Sequence, residues 1–353
     1  MTKRSELPTL AVVGATGAVG TVMCDLLSSR KNVWGEIRLV ASARSAGRTI
    51  VVRGSELTVQ ALAPDVFDGV DVAMFDVPDE VSAEWAPVAA ARGAVAVDNS
   101  GAFRMDPDVP LVVPEINPEQ LRNRPKGIIA NANCTTLSMI VAVAPLHREY
   151  GLRELVLASY QAVSGAGQVG VDTLLDQLAK VAGDRILGSR PGNVRQAVGD
   201  DLGPFPAPLA LNVVPWAGSL RDGGWSSEEI KMRNESRKIL GLPDLKVSAT
   251  CVRVPVVTGH SVAVHAVFGT EVDADGAREV LRHAPGVILV DDPGAGEFPM
   301  PIDAVGTDPS WIGRLRRSLD DPRALDFFVT GDNLRKGAAL NTAQIAELVA
   351  AEF

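Results

Sequence analysis

The feature that most constrains the fold of this chain is a glycine turn close to its N-terminus. An apolar stretch at residues 9–13 (TLAVV) predicts a strand, and residues 14–20 (GATGAVG) follow it directly, ahead of a helical stretch at 21–29. In a strand–turn–helix unit, glycines allow a tight turn and let the backbone approach a pyrophosphate at the helix N-terminus. The spacing is G-x-x-G-x-x-G and not G-x-G-x-x-G, so a merely structural turn is the alternative. We expect a dinucleotide-binding unit.

The end of the next predicted strand indicates which dinucleotide is bound. Residues 36–41 should end beside the adenosine ribose, where NAD enzymes usually place Asp or Glu. Here no carboxylate follows the strand, whereas Arg44 and Ser45 could hold a 2′-phosphate through charge and hydrogen bonds. We therefore predict NADP rather than NAD; a solvated loop arginine is the alternative for Arg44.

The alternation of strands and helices continues beyond this point. Residues 70–77 and 94–98 predict strands on either side of a helix at 80–92. Because loops at the carboxyl ends of parallel strands line the ligand crevice, Asn99 and Arg104 are expected to face it.

Composition limits the class of protein. With 353 residues, of which 46% are hydrophobic and only 5% aromatic, the chain predicts two domains of α/β type with covered parallel strands. Its three widely spaced cysteines form neither a disulfide framework nor a zinc site, which favours a reducing compartment. The charged start leaves no room for a secretory signal, and no apolar run is long enough to span a membrane. A net charge of −9 argues against nucleic-acid or acidic-membrane binding, so we expect a cytoplasmic protein.

Cys134 is the strongest candidate for a nucleophile. Residues 127–130 predict the end of a strand and residues 137–146 a buried helix, with Asn133 as a plausible N-cap. Cys134 would then lie in the first helical turn, where the helix dipole favours a thiolate. The alternative is a small buried hydrophobic residue.

The chain between 155 and 235 contains two further polar segments. A strand at 155–160 leads into residues 161–167 (QAVSGAG) and a helix at 171–181, whereas residues 187–225 predict long loops, either a lid or a subunit contact. A helix then opens at Glu228, which shares a face with Lys231. A surface ion pair is the alternative for these two residues.

Arg253 lies in a run of valines, where an unpaired guanidinium would be costly, so we expect it to have an anionic partner. Pro255 predicts an edge position or a strand end, and a turn at 258–260 leads to a second strand at 261–268. His260 lies seven residues from Arg253, at the end of the strand that presents it, and is interpreted as functional. His147, His265 and His283 are interpreted as structural, and Cys251 is expected to pack.

Together, these segments resemble the aspartate-semialdehyde dehydrogenase family along essentially the whole chain. The matching segments, in the family's order, are GATGAVG (14–20), SGAFR (100–104), NANCTT (131–136), QAVSGAG (161–167), EEIKM (228–232), RVPVVTGHS (253–261) and GDNLRKGAALN (331–341). The resemblance implies an α/β protein. A Rossmann-type NADP-binding domain (1–133) is completed by a C-terminal helix (336–353), and an α+β catalytic and dimerisation domain spans 134–335.

The activity implied by this resemblance is NADPH-dependent reductive dephosphorylation of aspartyl 4-phosphate to aspartate 4-semialdehyde through a cysteine thioester. This step leads toward lysine, by way of diaminopimelate, and toward threonine and methionine. A homodimer is implied as the minimal assembly.

Roles carried over from the family fall on individual residues of this chain. Cys134 resembles the acylated nucleophile and His260 the acid/base. The positions implied for the amino acid part of the substrate are Gln161, Glu228 and Arg253, with Arg253 opposite the carboxylate, and those for phosphate are Arg104 and Lys231. Cofactor contacts are implied for Gly14, Thr16, Gly17, Ala18, Val19, Arg44, Ser45, Ser164, Gly165 and Asn333. Residues 183–225 match no recognised motif.

Four rival functions share parts of this pattern. An N-acetylglutamyl-phosphate reductase or a glyceraldehyde-3-phosphate dehydrogenase would share thiol, histidine and cofactor. Their cysteine surroundings differ from NANCTT, and an N-acetylated substrate would not need Glu228 for an amine. A non-catalytic NADP-binding sensor would have no use for Cys134 and His260 together, and a cysteine hydrolase would need no glycine turn.

Overall fold

Strands and helices alternate in the first half of the chain, as the apolar runs predict. The computed structural model describes residues 7–353. Its strands are β1 (Leu10–Val13), β2 (Ile37–Ala41), β3 (Thr49–Val52), β4 (Ser55–Thr58), β5 (Gln60–Ala61), β6 (Val72–Phe75), β7 (Val95–Asp98), β8 (Leu111–Val112), β9 (Ile128–Asn131), β10 (Leu152–Gln161), β11 (Lys246–Arg253), β12 (His260–Phe268), β13 (Val287–Leu289), β14 (Ser310–Arg317) and β15 (Ala324–Gly331). Its helices are α1 (Ala18–Ser29), α2 (Asp79–Ala91), α3 (Cys134–Tyr150), α4 (Gln168–Val181), α5 (Asn193–Val198), α6 (Ser227–Leu240), α7 (Ala274–Arg282), α8 (Pro301–Ala304) and α9 (Leu340–Ala350).

The chain divides into two units. One unit consists of the chain up to Asn133 together with Lys238–Leu242 and Leu334–Phe353. The other consists of Cys134–Arg237 and Pro243–Asn333. Residues 1–6, the charged start on which the absence of a secretory signal was argued, lie outside the described residues.

The first unit contains a parallel sheet of seven strands in the order β5-β2-β1-β6-β7-β9-β8. Every residue of β1, β6, β7 and β9 is buried, which explains why their sequences are continuous apolar runs without alternation. The sheet has the arrangement of a doubly wound dinucleotide-binding fold.

The C-terminal segment completes the core of the first unit. Apolar residues of α9, among them Ile345 and Val349, pack in one cluster with residues of α1 and β1. The preceding turn, Arg335–Ala339, is a π-helix whose Lys336 ammonium is buried and donates to both Glu115 carboxylate oxygens at 2.8 and 2.7 Å. An ion pair this well satisfied fixes the point at which the last helix begins.

The second unit contains a mixed sheet in the order β11-β10-β12-β15-β14-β13. Helix α3 packs against β12 and β15, and α7 packs against α3 and β14. On β10, Val156 and Tyr160 are exposed, and the Tyr160 ring lies 6.0 Å from the ring of Phe328. One face of this sheet therefore presents apolar side chains to solvent.

Several predicted boundaries differ from the structure. Strand β11, at the edge of its sheet, ends at Arg253, because Pro255 cannot continue a ladder. The predicted long loop at 187–225 is interrupted by α5, and the predicted helix at 171–181 starts earlier, at Gln168. Within the described residues, no helix combines the length and apolar character that crossing a membrane requires.

Candidate active site

The glycine turn between β1 and α1 is sterically specific. Gly14 has a φ of +94°, and a Cβ at this position would lie 2.0 Å from the Asp76 carbonyl oxygen. A Cβ at Gly20 would lie 2.1 Å from the Gly14 carbonyl oxygen. Helix α1 then begins after Gly17 without a side-chain cap and without an acidic residue in its first turn. The Asp76 carboxylate lies beside this turn and accepts from the Gly20 N–H, and the N-terminus of such a helix also suits the phosphates of a dinucleotide.

Arg44 and Ser45 lie at the carboxyl end of β2, on a 3₁₀ turn over Ala43–Ser45. Arg44 is exposed, and the Thr16 hydroxyl of the glycine turn donates to the Ser45 hydroxyl at 3.3 Å. This contact joins the two turns predicted to hold the cofactor. Selection of NADP by Arg44 remains a prediction.

Arg104 lies at the carboxyl edge of the parallel sheet. Its guanidinium is buried and donates to the carbonyl oxygens of Asn131 (Nε, 2.8 Å) and Asn99 (Nη2, 2.7 Å). The Asn99 side chain donates to Asp76 at 2.8 Å, and burial raises the pKa of that carboxyl. The carbonyls of two strand ends therefore fix the orientation of Arg104, whose contact with phosphate remains a prediction.

Cys134 begins helix α3, as its sequence context predicts. It is partly exposed, although residues 131–133 and 135–140 around it are buried. The other two cysteines are buried, and burial raises the pKa of Cys24 to about 11 and that of Cys251 to about 12. Cys134 is thus the one thiol in the described chain that combines a helix N-terminus with access to solvent.

Gln161, at the end of β10, connects the first turn of α3 to helix α6. Its amide nitrogen donates to the Thr135 hydroxyl, next to Cys134, and lies 3.4 Å from Glu228 Oε2. Glu228 Oε1 in turn lies 2.8 Å from Lys231 Nζ. Only 9% of Glu228 is exposed, so the surface ion pair considered above is the wrong interpretation of this contact.

The start of α6 is fixed by Glu229. Its carboxylate accepts from the backbone N–H of Ser226 (2.8 Å), which caps the helix, and from that of Cys251 (3.1 Å) on the edge strand β11. This double contact places Glu228 and Lys231 beside the strand that ends in Arg253.

Arg253 pairs in register with Gln161 across β10 and β11. Its Nη1 donates to the carbonyl oxygen of Ala162 at 2.5 Å, and its Cζ lies 5.9 Å from the centre of the Phe205 ring. Burial lowers the pKa of Arg253, while the charges of Cys134 and Glu228 act in the opposite sense. The anionic partner expected for Arg253 remains a prediction, because no carboxylate of the described residues forms an ion pair with it. A carbonyl and an aromatic face contact its guanidinium.

His260 begins β12 and is fully buried. Its Nδ1 accepts a hydrogen bond from the Ala162 N–H at 3.0 Å, so the neutral ring carries its proton on Nε2. Nε2 has no hydrogen-bond partner among the described residues. Burial, reinforced by the charge of Arg253, lowers the pKa of His260 to about 3. The ring is therefore neutral near pH 7, with an N–H to offer.

Gly165 lies directly beside these two groups. A Cβ at this position would lie 3.1 Å from Arg253 Nη1 and 3.2 Å from His260 Nε2. A side chain at this position would therefore crowd the Arg253 guanidinium and the His260 ring.

Asn333 connects the two turns that carry Gly165 and His260. Its amide nitrogen donates to the Ser164 hydroxyl at 2.9 Å, and its amide oxygen accepts from the Gly259 N–H at 2.8 Å. Its side chain is buried in these contacts. The structure thus shows a supporting role for a residue that the sequence suggested only as a cofactor contact.

The predicted site residues fall into two groups, one in each unit. The second unit brings together Cys134, Gln161, Ser164, Gly165, Glu228, Lys231, Arg253, His260 and Asn333, and the first unit carries Gly14, Thr16, Gly17, Ala18, Val19, Arg44, Ser45 and Arg104. Sequence reasoning missed Thr135, Ala162 and Phe205. Only the proximity of the first two to recognised segments could have suggested them, and no signal pointed to Phe205.

This fold and this site define a dinucleotide-binding enzyme whose second unit gathers a thiol, a neutral imidazole and buried charged side chains. Family models agree: residues 9–124 match "Semialdehyde dehydrogenase, NAD binding domain", and residues 143–336 match "Semialdehyde dehydrogenase, dimerisation domain".

Individual proteins narrow the class further. An aspartate-semialdehyde dehydrogenase of Corynebacterium glutamicum is 49% identical over 350 residues, covering 97% of this chain and 99% of that protein. One of Bacillus subtilis is 43% identical over 343 residues, 96% of each chain. The crystal structure of aspartate semialdehyde dehydrogenase II from Vibrio cholerae, complexed with ASA, superimposes with a TM-score of 0.90 at 38% identity, covering 99% of this chain and 100% of that one. The chain belongs to the aspartate-semialdehyde dehydrogenase family.

Proposed function

We propose that this protein catalyses the NADPH-dependent reductive dephosphorylation of aspartyl 4-phosphate to aspartate 4-semialdehyde, through a thioester on Cys134. The observation that carries the proposal is the pair of buried, opposite charges in the same unit as the thiol. Arg253 has no carboxylate partner in the described chain, and the Glu228 carboxylate lies within the site. An amino acid with a carboxylate and an ammonium group complements these two charges.

The substrate contacts follow from charge and position. Arg253 would bind the α-carboxylate, and Glu228, held beside Gln161, would accept from the α-ammonium group. Lys231 and Arg104 supply the cations that an acyl phosphate needs, which a chain with a net charge of −9 must provide locally.

The chemistry requires a nucleophile and a donor to the developing oxyanion. The Cys134 thiolate would attack the acyl carbon, and the C–O bond to phosphate would break to leave a thioester. When bound, the reduced dinucleotide supplies the hydride that converts the thioester to a thiohemiacetal oxyanion. His260 holds its proton at Nε2 and would present it to the substrate oxygen as negative charge develops there. Collapse of this oxyanion then breaks the C–S bond, which releases the aldehyde and regenerates the Cys134 thiolate, while His260 keeps its proton.

The first unit is suited to hold the dinucleotide. The first turn of α1, which has no acidic residue of its own, suits a pyrophosphate, and the exposed Arg44 beside Ser45 fits a 2′-phosphate. Ser164 and Gly165 in the second unit are the further contacts proposed for the cofactor. The turn at 42–46 contains no Asp or Glu, the residue types that would favour NAD by binding the ribose hydroxyls.

The direct test measures NADPH formation from aspartate semialdehyde, phosphate and NADP. Equal concentrations of N-acetylglutamate semialdehyde and of glyceraldehyde 3-phosphate serve as rival substrates, and NAD replaces NADP in a parallel series. We expect turnover only with aspartate semialdehyde and a marked preference for NADP. Faster turnover of either rival aldehyde would overturn the proposed substrate.

A variant separates phosphate recognition from the rest of the site. In Lys231→Ala we expect a higher KM for phosphate with little change in the KM for NADP, because Lys231 pairs with Glu228 and is not among the residues proposed to contact the cofactor. An unchanged KM for phosphate would mean that Lys231 does not bind phosphate and serves only as the ion-pair partner of Glu228.

We also propose a homodimer formed through the second unit. Support comes from the dimerisation-domain match over residues 143–336 and from the exposed apolar sheet face at Val156 and Tyr160. Sedimentation of the wild type and of Tyr160→Glu tests this proposal. The wild type should sediment as a dimer, and the variant should dissociate into monomers at a higher protein concentration than the wild type does.

A further inference from the structure

The segment at 183–225, to which no motif assigns a role, contacts Arg253 at two points. Val214 and Arg253 exchange backbone hydrogen bonds of 2.9 and 2.7 Å as an isolated antiparallel bridge. The Phe205 ring lies against the guanidinium, with 5.9 Å between its centre and Arg253 Cζ. The backbone and the side chain of Arg253 are therefore both held from this segment.

The Phe205 ring is itself fixed. It is buried in a cluster with Val163, Leu174, Leu209 and Val214. A Cβ at Gly170 of helix α4 would come within 3.2 Å of Phe205 Cζ, so the helix backbone closely approaches the ring. A ring packed this closely presents a face of constant position to the guanidinium.

The same cluster also positions the other partner of the guanidinium. Val163 directly follows Ala162, whose carbonyl oxygen accepts from Arg253 Nη1. The ring thus limits the guanidinium from one side, and the carbonyl holds its Nη1. A planar group held by two fixed neighbours has few orientations left.

We infer that Phe205 is a positioning residue that orients Arg253 for bidentate binding of the substrate α-carboxylate. The inference rests on the proposed function, in which Arg253 meets that carboxylate. Bidentate pairing demands coplanarity of guanidinium and carboxylate, and an arginine without an acidic partner would otherwise sample several rotamers. The aromatic face attracts the cation more strongly in a buried site than in water.

The competing explanation is that Phe205 only fills the core. Loss of the ring would then leave a cavity and lower stability, without a selective effect on one substrate. Phe268, a second buried phenylalanine of the same unit, whose ring lies 5.8 Å from that of Tyr150, provides the matched control for this effect.

The experiment compares Phe205→Leu, Phe205→Tyr and Phe268→Leu. The KM values for aspartate semialdehyde, phosphate and NADP, kcat and the melting temperature are measured for each full-length variant. In Phe205→Leu we expect the KM for aspartate semialdehyde to rise roughly 3- to 30-fold, the range of a desolvated cation–π contact, with the other two KM values unchanged. Phe205→Tyr should restore this KM, and Phe268→Leu should lower stability alone. If Phe205→Leu does not fold, Phe205→Met replaces it, since methionine fills similar volume without a ring.

Two results would overturn the inference: an unchanged KM for aspartate semialdehyde in a folded variant without the ring, or an equal rise in all three KM values. Arg253→Lys separates this failure from failure of the proposed function. If Arg253→Lys leaves the KM for aspartate semialdehyde unchanged, the carboxylate role of Arg253 is wrong and the inference fails with it. If Arg253→Lys raises that KM and loss of the ring does not, only the role of Phe205 is wrong.

Discussion

Replacement of Gly165 by alanine should separate activity from stability. The added Cβ would lie 3.1 Å from Arg253 Nη1 and 3.2 Å from His260 Nε2, shorter than the usual contact of about 3.5–4.0 Å. Neither neighbour can retreat freely, since Ala162 binds Arg253 Nη1 through its carbonyl at 2.5 Å and His260 Nδ1 through its N–H at 3.0 Å. The methyl group therefore intrudes into the space that the substrate must use.

The magnitude follows from the cost of overpacking. An extra methyl in a well-packed site costs about 1–3 kcal/mol, and if this cost falls on the transition state, kcat/KM drops roughly 5- to 150-fold. Gly165 has no positive φ and lies on a 3₁₀ turn, so alanine fits its backbone. Reduced freedom of the unfolded chain then stabilises the variant by about 0.4–1 kcal/mol, which offsets part of the contact strain.

The assay measures NADPH formation together with urea unfolding. Gly165→Ala should lose activity at a free energy of unfolding within about 1 kcal/mol of wild type. The control is Gly294→Ala, an exposed loop glycine of the same unit whose Cβ would meet only the end of the Asp292 side chain, at 3.3 Å. If the activity of Gly165→Ala stays within twofold of wild type, the prediction that the substrate reacts beside Gly165 is wrong.

Three further predictions address single residues. A thiol reagent should label Cys134 first, as mass spectrometry can show, because burial raises the pKa of the other two cysteines to about 11 and 12; Cys134→Ser should abolish turnover. Arg44→Ala should raise the KM for NADP much more than that for NAD, by roughly 1–3 kcal/mol, and equal effects would remove Arg44 from the cofactor site. His260→Gln should lower kcat by about 10²–10⁴ with a far smaller change in KM. Because the pKa of His260 falls from 6.5 to about 3 on folding, its neutral ring stabilises the wild type above pH 6.5, and this contribution is lost as pH falls from 6.5 toward 3. Urea titrations at pH 7 and pH 5 should show that the free energy of unfolding falls less between these pH values in His260→Gln than in the wild type.

Local sequence patterns were sufficient where neighbours in the chain determine the structure. The glycine turn at 14–20 needs only its own strand and helix, and the structure shows the close contacts that exclude side chains at Gly14 and Gly20. The same holds for Cys134, whose position at the start of α3 follows from the strand before it and the apolar helix after it.

Contacts between distant segments were beyond such patterns. The Ala162 N–H that sets the tautomer of His260 is 98 positions away in the chain, and the Ala162 carbonyl that binds Arg253 is 91 positions away. Sequence reasoning therefore indicated that Arg253 needs an anion, but not that a carbonyl and an aromatic face would hold its guanidinium.

The sequence by itself indicated the parallel strand pattern, the glycine turn and the candidate reactive groups, because each depends on residue type and local spacing. Only the tertiary structure decided the protonation and orientation of those groups: the burial that keeps His260 neutral, the contacts that bury Glu228 and the ring of Phe205 against Arg253. The physical reason is that desolvation and hydrogen bonding depend on all atoms that surround a group, and these atoms come from segments that only folding brings together.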